Sequence, residues 1–312
     1  MTASVFMFPG QGAQFVPMGK DLYDEFPVCR PFFETAEAVT GLPLAELCFS
    51  GPEDVLSRTD VSQPALLTVS AAALAAAREA GLPDPDYALG LSLGEYTALY
   101  AAGALSFEDA VRLVHIRGRA MQAAAEASPG GMTSILGADP AAVERIVAEA
   151  SSAGVLAVAN LNCPGQVVIS GSLEALAEAE RLAADLPRVR AVRLKVSGAF
   201  HSPLMKPAAD ELSRAVETVS WSAPSFPVVQ NVSALPETDP ARIRANLVAQ
   251  LTGTVRFEES LRFLLGRGAD RFYEIGPGKV LTGLLRRTER SMRAVPLGTA
   301  PEIRSLGGLA TD

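Results

Sequence analysis

The stretch Gly90-Leu91-Ser92-Leu93-Gly94 follows a short apolar run, Tyr87-Ala88-Leu89, and opens a helical pattern that continues to Ala102. A strand, a G-x-S-x-G pentapeptide and a helix are together typical of a nucleophile elbow, a turn so sharp that the residues flanking the serine must be small. Such a turn would place the Ser92 hydroxyl at a helix N-terminus, where free N–H groups stabilise a developing negative charge. The alternative is a chance match in a loop, and the flanking strand and helix favour the elbow.

The composition indicates a globular chain and argues against several classes of function. The chain has 312 residues, 48% hydrophobic and 20% charged, which suits one large or two unequal domains with an ample core. A formal charge of −8 without a basic tract argues against nucleic acid as a partner. Three widely spaced cysteines fit reduced thiols, and two histidines without a zinc-type cysteine pair argue against a metal site. Without a signal peptide or a membrane-spanning segment, we expect a cytoplasmic protein that binds no membrane.

The N-terminal segment is predicted to be a strand followed by a tight loop. Residues Ser4 to Phe8 form an apolar run, and Pro9-Gly10-Gln11-Gly12 follows it. Two glycines allow main-chain N–H groups to approach a ligand, although an ordinary turn explains the pattern equally well. The loop is not a dinucleotide-binding fingerprint, because Phe15 stands where the third glycine is needed.

An arginine falls on the apolar face of the helix predicted from Ser106 to Glu126. Ala110, Val114 and Met121 recur at helical spacing, and Arg117 lies among them. A guanidinium on a buried stripe keeps its charge and needs an anionic or carbonyl partner. It is either half of a structural ion pair or a receptor for a carboxylate, which arginine binds with two hydrogen bonds. His115 falls on the outer face of the same helix and is predicted to be a surface histidine.

From residue 130 to 197 the pattern becomes strand, helix, strand, strand, helix, strand, the order of a ferredoxin-like unit. We interpret it as a small subdomain, residues 130–197, inserted into a larger α/β subdomain of residues 1–129 and 198–312. Between its middle strands, Asn160-Leu161-Asn162 either binds a ligand through its amides or builds a turn, and the residue types favour the turn.

His201 is the natural general base for Ser92. It lies in the loop Gly198 to Pro203, directly after a predicted strand that runs from Ala191 to Val196. A serine hydroxyl is a poor nucleophile until an adjacent imidazole takes its proton. An ordinary α/β-hydrolase has its histidine near the C-terminus, so this chain is hydrolase-like in its elbow but not in its overall plan.

Two further elements are predicted around these motifs. A long helix is expected to begin at Gln63-Pro64-Ala65 and to end near Glu79, because proline favours the first helical turn. A strand is expected from Phe226 to Asn231.

Several linked motifs give the chain a specific resemblance to malonyl-CoA:acyl carrier protein transacylases of fatty acid synthesis and the related acyltransferases of polyketide synthesis. The motifs extend over nearly the whole chain, from Phe6 to Leu297. They are Phe8-Pro9-Gly10-Gln11-Gly12-Ala13-Gln14, Gly90 to Glu95, Arg117-Gly118, Gly198 to Pro203 and Gly276-Pro277-Gly278.

The resemblance implies a serine acyltransferase that moves a malonyl group from malonyl-CoA to the phosphopantetheine thiol of an acyl carrier protein. It implies Ser92 as nucleophile, His201 as base and the main-chain carbonyl of Gln250 as the group that orients the imidazole. The residues implied for the oxyanion hole are Gln11 and Leu93, through their N–H groups. For substrate binding it implies Arg117 for the malonyl carboxylate and Phe200 for the preference for malonyl. Asn160 and Asn162, named above from their residue types, complete the candidate substrate-binding residues. We expect a monomer that needs no cofactor besides its two substrates.

One position departs from the family pattern. The family usually has a histidine immediately before the nucleophile, and here that residue is Leu91. The alternatives are a discrete acyltransferase of polyketide synthesis that loads another acyl group, a hydrolase of acyl carriers, and a non-catalytic scaffold that binds the carrier. Arg117 indicates a carboxylated substrate and so argues against the hydrolase. The presence of Ser92, His201, Arg117 and Gln250 argues against the scaffold.

Overall fold

The computed structural model describes residues 2–306 and has an α/β fold with two β-sheets. Within that range the strands are β1 (Ala3–Phe8), β2 (Tyr87–Gly90), β3 (Gly130–Leu136), β4 (Leu156–Cys163), β5 (Gln166–Ser172), β6 (Arg190–Arg193), β7 (Val228–Val229), β8 (Pro236–Glu237), β9 (Ala269–Ile275) and β10 (Ala294–Leu297). The α-helices are α1 (Lys20–Glu25), α2 (Arg30–Thr40), α3 (Leu44–Ser50), α4 (Glu53–Leu56), α5 (Thr59–Glu79), α6 (Gly94–Ala101), α7 (Phe107–Ala127), α8 (Pro140–Ala150), α9 (Leu173–Ala184), α10 (Lys206–Ala215), α11 (Pro240–Gln250), α12 (Phe257–Gly266), α13 (Val280–Thr288) and α14 (Ala300–Arg304). Short 3-10 helices run over Pro27–Cys29, Ser151–Ala153 and Pro203–Met205.

The larger sheet has six strands in the order β10-β9-β1-β2-β7-β8. The first five of these are mutually parallel, and β8 pairs antiparallel with β7. In the register of β1 with β2, Phe8 lies opposite Gly90, so both strands end at the same edge of the sheet. The loop after β1 and the serine turn after β2 are therefore neighbours.

Helices cover both faces of this sheet, as the alternation of side chains along β1 requires. Phe6 and Phe8 belong to the apolar cluster that includes α5 and α7. Val5 and Met7 point to the opposite face, into a second cluster with α12 and α13. The strand is buried on both sides, which explains why its sequence is apolar throughout.

The start of α5 differs from its prediction. The helix begins at Thr59, several residues earlier than expected, and contains Pro64 in its interior. An interior proline removes one intrahelical hydrogen bond. Nearly every residue of α5 is buried, and this packing offsets the lost bond, a tertiary effect that the local proline signal does not include.

The smaller sheet is antiparallel, with the order β4-β5-β3-β6, and is formed by a β-α-β-β-α-β segment of the chain. Helices α8 and α9 pack against it around a third apolar cluster that contains Ile135, Val143 and Leu176. The last strand is shorter than predicted and ends at Arg193, and β7 is likewise only Val228–Val229.

The turn predicted at Asn160-Leu161-Asn162 is wrong, because these residues belong to β4. The chain instead turns at Pro164-Gly165, where Gly165 has a φ of 73°. The register with β5 shifts twice, between Val158 and Asn160 and between Leu161 and Cys163. Such irregularities change the direction of side chains.

The outer edge of β4 is bound to the larger part of the chain. Val255 donates its N–H to the carbonyl of Ala159 at 2.8 Å, and Leu161 donates its N–H to the carbonyl of Val255 at 2.9 Å. This pairing supplies main-chain partners for the segment that residue types alone assign to a turn.

All three cysteines, Cys29, Cys48 and Cys163, are buried free thiols. Burial raises the pKa of both Cys29 and Cys48 to about 12. Among residues 2–306, no helix is both long enough and apolar enough to span a membrane.

The elbow glycine at position 90 generates a test of the fold. A Cβ atom at Gly90 would overlap the main chain of Gly94, whereas a Cβ at Gly283 in α13 would meet nothing within 4 Å. We expect Gly90→Ala to lower the free energy of unfolding by about 3 kcal/mol, the upper end for overpacking. Gly283→Ala should raise it by about 0.5–1 kcal/mol, because alanine is the better helix former. Urea unfolding of both variants measures this, and equal stability would contradict the steric account.

Candidate active site

The serine turn has the backbone geometry of a nucleophile elbow. Ser92 has a φ of 52°, a left-handed conformation that residues other than glycine rarely adopt. A Cβ at Gly94 would overlap the carbonyl of Phe8, and one at Gly10 would overlap the carbonyl of Leu91. Glycine at these positions therefore allows the turn after β2 and the loop after β1 to touch.

Ser92 and His201 are in direct contact. The Oγ of Ser92 lies 2.8 Å from Nε2 of His201, whose Nδ1 lies 2.7 Å from the main-chain carbonyl oxygen of Gln250. A carbonyl oxygen can only accept, so Nδ1 carries the proton and donates it to Gln250. Nε2 is then free to accept the hydroxyl proton of Ser92. His201 also has a left-handed backbone, with a φ of 57°, in the loop between β6 and Pro203–Met205.

Burial keeps the imidazole neutral. His201 is only 4% exposed. Burial lowers its pKa to about 4, with a further contribution from the Arg117 charge, while the Gln250 carbonyl acts in the opposite direction. The basic form of His201 is therefore dominant at neutral pH.

Arg117 is buried on the inner face of α7, as predicted, and is 1% exposed. Its Nη2 donates to Ser92 Oγ at 3.0 Å and to the side-chain oxygen of Gln250 at 2.9 Å, and Nη1 donates to Gln63 Oε1 at 2.7 Å. The guanidinium also lies 5.5 Å from the ring centroid of Tyr96.

The partners of Arg117 are neutral, which argues against a structural ion pair. Within the described part of the chain, no carboxylate lies within 4.0 Å of its guanidinium, and its buried Nε has no hydrogen-bond acceptor. A permanently charged group is thus held beside Ser92 with an unused donor.

A second layer of polar side chains, which the sequence analysis missed, supports the elbow. Asn231 accepts the N–H of Ser92 at 2.7 Å and donates to the carbonyl of Gly90 at 2.7 Å. Glu95 is fully buried and accepts from the Asn231 N–H at 2.8 Å and from Gln250 Nε2 at 2.9 Å. Burial raises the pKa of Glu95 to about 7 although these donors and Arg117 act to lower it.

The two N–H groups predicted for an oxyanion hole lie on the segments that meet at the elbow. Gln11 follows Gly10 in the loop after β1, and Leu93 precedes the first residue of α6. Neither N–H donates to a protein acceptor in the region from 2 to 306. The side chain of Gln11 donates to Thr59 Oγ1 at 3.3 Å.

The remaining predicted residues line one cleft of about 360 Å³ in which Ser92, His201 and Arg117 lie. Phe200, Asn160 and Asn162 are in its wall. Leu91 also lines the cleft and contacts the apolar cluster of α12 and α13, so the position that is usually histidine presents an apolar side chain.

His115 lies outside the cleft and is half-buried rather than on the surface.

Metal-ligating side chains do not cluster at this site. Across residues 2–306, no group of three His, Cys, Asp or Glu residues could hold a metal ion.

Comparison with known proteins gives consistent relatives over nearly the full length. The family model for the acyl transferase domain matches residues 5–308. The chain is 45% identical to the malonyl CoA-acyl carrier protein transacylase of Bacillus subtilis, over 95% of this chain and 93% of that protein. It is 42% identical to the protein of the same name from Salmonella typhimurium, over 95% and 96% of the two chains.

Solved structures of similar proteins have the same fold as this chain over nearly its whole length. An acyl-carrier-protein S-malonyltransferase from Bartonella henselae superposes with a TM-score of 0.94 at 43% identity, covering 98% of this chain and 100% of that one. A malonyl-transacylase solved in complex with its type II PKS acyl-carrier protein superposes with a TM-score of 0.93 at 39% identity, covering 99% and 100%. Because the family model matches residues 5–308 and the two relatives share 42–45% of their residues with it over 95% of its length, this chain belongs to the acyl transferase domain family.

Proposed function

We propose that this acyltransferase moves a malonyl group from malonyl-CoA to the phosphopantetheine thiol of an acyl carrier protein, for fatty acid or polyketide synthesis. The observation that carries the proposal is the position of Ser92 Oγ, 2.8 Å from a neutral histidine nitrogen and 3.0 Å from a buried guanidinium. The first contact serves nucleophilic attack on a thioester, and the second serves recognition of a carboxylated acyl group. The names of the relatives support the same substrates.

In the first half-reaction His201 takes the Ser92 proton through Nε2 while Oγ attacks the thioester carbonyl. The oxyanion of the tetrahedral intermediate would accept hydrogen bonds from the N–H groups of Gln11 and Leu93. As the intermediate collapses, the C–S bond breaks and His201 gives the proton to the coenzyme A sulfur. In the second half-reaction His201 takes the proton of the carrier thiol while its sulfur attacks the acyl carbon on Ser92. The C–O bond to Ser92 then breaks and His201 returns the proton to Oγ, a sequence that needs no cofactor. The carbonyl of Gln250 holds the imidazole in the required tautomer throughout.

Arg117 would bind the malonyl carboxylate. Its Nη2 donates to Ser92 Oγ at 3.0 Å, and once that oxygen is acylated the carboxylate of the malonyl group would accept this N–H in its place. Phe200, Asn160, Asn162 and Leu91 would form the wall around the acyl group and its thioester.

The finer organisation of the chain follows the same proposal. Residues 1–129 and 198–312 would form a hydrolase-like catalytic subdomain with the elbow, although residue 1 and residues 307–312 lie outside the part that the structure describes. Residues 130–197 would form an inserted ferredoxin-like subdomain, a proposal that the β-α-β-β-α-β order and the strand order of the smaller sheet support. We also propose that the protein acts as a monomer in the cytoplasm.

The nucleophile is tested with Ser92→Ala. This variant should remain folded and gain no malonyl adduct after incubation with malonyl-CoA, as measured by intact-protein mass spectrometry. Ser57→Ala, which removes another hydroxyl of the same cleft, should still be malonylated. An adduct on Ser92→Ala would overturn the assignment.

The carboxylate site is tested with Arg117→Ala. Loss of a desolvated charge partner should cost malonyl transfer about 2–5 kcal/mol in transition-state stabilisation. Acetyl-CoA lacks the carboxylate and should lose far less. Arg112→Ala is the matched control on the same helix, because Arg112 only forms surface pairs with Glu108 and Asp109. Equal losses for malonyl and acetyl would show that Arg117 is merely structural.

The environment of His201 sets the pH dependence. The neutral imidazole is the active base, and its pKa is lowered from 6.5 to about 4, so kcat/KM for acylation should persist on acidification and fall only as the pH approaches 4. In Arg117→Ala, measured with acetyl-CoA, the acid limb should move to higher pH, because one of the two causes of the shift is gone. Stopped-flow release of coenzyme A measures both profiles, with circular dichroism to verify the folded state. An acid limb near 6.5 in the unmodified protein would contradict this account.

A further inference from the structure

The side chain of Gln250 connects Arg117 to the buried carboxylate of Glu95. Its main-chain oxygen binds His201, but its amide group makes separate contacts. The amide oxygen accepts from Arg117 Nη2 at 2.9 Å, and the amide nitrogen donates to Glu95 Oε2 at 2.9 Å. One glutamine therefore lies between a cation and an acid that do not touch each other.

The surroundings permit one orientation of this amide. Besides Glu95, the nitrogen lies 3.1 Å from the carbonyl oxygen of Ser92 and 3.3 Å from Asn231 Oδ1. A reversed amide would place its oxygen against three oxygens and its N–H₂ against a guanidinium, which has no acceptor. The orientation shown presents the amide oxygen to Arg117.

Glu95 is the one acidic side chain among these acceptors, and its own position is fixed by hydrogen bonds. It is fully buried in α6, and the same Oε2 accepts the Asn231 N–H at 2.8 Å. The other two acceptors also bind main-chain N–H groups. Asn231 Oδ1 accepts the N–H of Ser92 at 2.7 Å, and the carbonyl of Ser92 accepts the N–H of Glu95 at 3.2 Å. Glu95 thus anchors the amide nitrogen of Gln250.

We propose that Glu95 is a positioning residue for acyl selection, which orients the Gln250 amide so that Arg117 is held beside Ser92 to receive a carboxylate. Glu95 is not among the residues that line the cleft, so its role would be indirect. The proposal rests on the proposed function, since it concerns how the malonyl group is distinguished from acyl groups without a carboxylate.

The effect should be selective. Acylation by acetyl-CoA uses Ser92, His201 and the oxyanion N–H groups but does not need Arg117 in place. A displaced guanidinium therefore lowers malonyl acylation more than acetyl acylation. A general loosening of the elbow would lower both by the same factor.

The main experiment measures single-turnover acylation rate constants for malonyl-CoA and acetyl-CoA in two variants. Glu95→Leu removes the acceptor, and we expect the malonyl-to-acetyl ratio to fall roughly 10- to 100-fold, as for a buried donor left without its hydrogen-bond acceptor. Glu95→Gln removes the charge but keeps an oxygen that can accept from Gln250 and Asn231. It should retain most of the ratio.

Two further variants test whether Glu95 acts through Gln250 and Arg117. Gln250→Leu keeps the main-chain oxygen for His201 but removes the amide, so it should reproduce the loss of ratio seen in Glu95→Leu. In an Arg117→Ala background, Glu95→Leu should cause no further loss, because the two residues act through one contact. If Glu95→Leu does not fold, Gln250→Leu still tests the hydrogen bond between Glu95 and Gln250, because it removes the donor instead of the acceptor.

The failures are distinguishable. An unmodified protein that gains no malonyl group would overturn the proposed function itself. With malonylation intact, an unchanged ratio in Glu95→Leu or Gln250→Leu would overturn the role of Glu95. So would a loss in Glu95→Gln as large as in Glu95→Leu, since it would assign the effect to the charge rather than the acceptor.

Discussion

A permanently charged guanidinium buried beside Ser92 is the constraint on which the rest of the site depends. Removing a charge from water costs several kcal/mol, and Arg117 is compensated by the oxygens of Gln63, Gln250 and Ser92 and by the face of Tyr96 rather than by a carboxylate. Neutral acceptors bind Nη1 and Nη2 without cancelling the positive charge of the guanidinium. That field reaches His201, where it adds to burial in keeping the imidazole neutral. The same unbalanced charge favours an anionic acyl group in the cleft.

The parts of this site come from distant segments, and the parallel register of β1 and β2 assembles them. Phe8 and Gly90 end their strands side by side, so that glycines on both segments can pack main chain against main chain. Asn231, after the neighbouring strand β7, then reaches both ends of the elbow. A left-handed backbone at Ser92 is maintained because these hydrogen bonds and contacts over-determine it.

Short-range sequence patterns predicted those features of the fold and site that depend on neighbouring residues. The elbow spacing predicted the turn at Ser92, and helical periodicity predicted that Arg117 is buried. The roles of Glu95 and the Gln250 side chain could not be predicted, because their partners are far away in sequence and polar residues at these positions have no periodic signal. Asn160 and Asn162 were assigned to a turn because their residue types favour one, whereas pairing with Val255 on one side and β5 on the other makes them part of a strand. Pro64 likewise follows its tertiary packing rather than its local preference.

The burial of the three cysteines has a consequence for chemoselectivity. A cysteine thiolate can attack a thioester carbonyl as the carrier thiol and Ser92 do, so a reactive cysteine in the protein would compete with the carrier for the acyl group. The thiolate is the reactive form, and the raised pKa values of Cys29 and Cys48 keep both side chains protonated at neutral pH. Burial also shields all three from bulk thioesters. The protein can therefore bind activated acyl groups without acylation of its own cysteines. The hydroxyl oxygen of Ser92 then carries the acyl group between the thiol of coenzyme A and the thiol of the carrier.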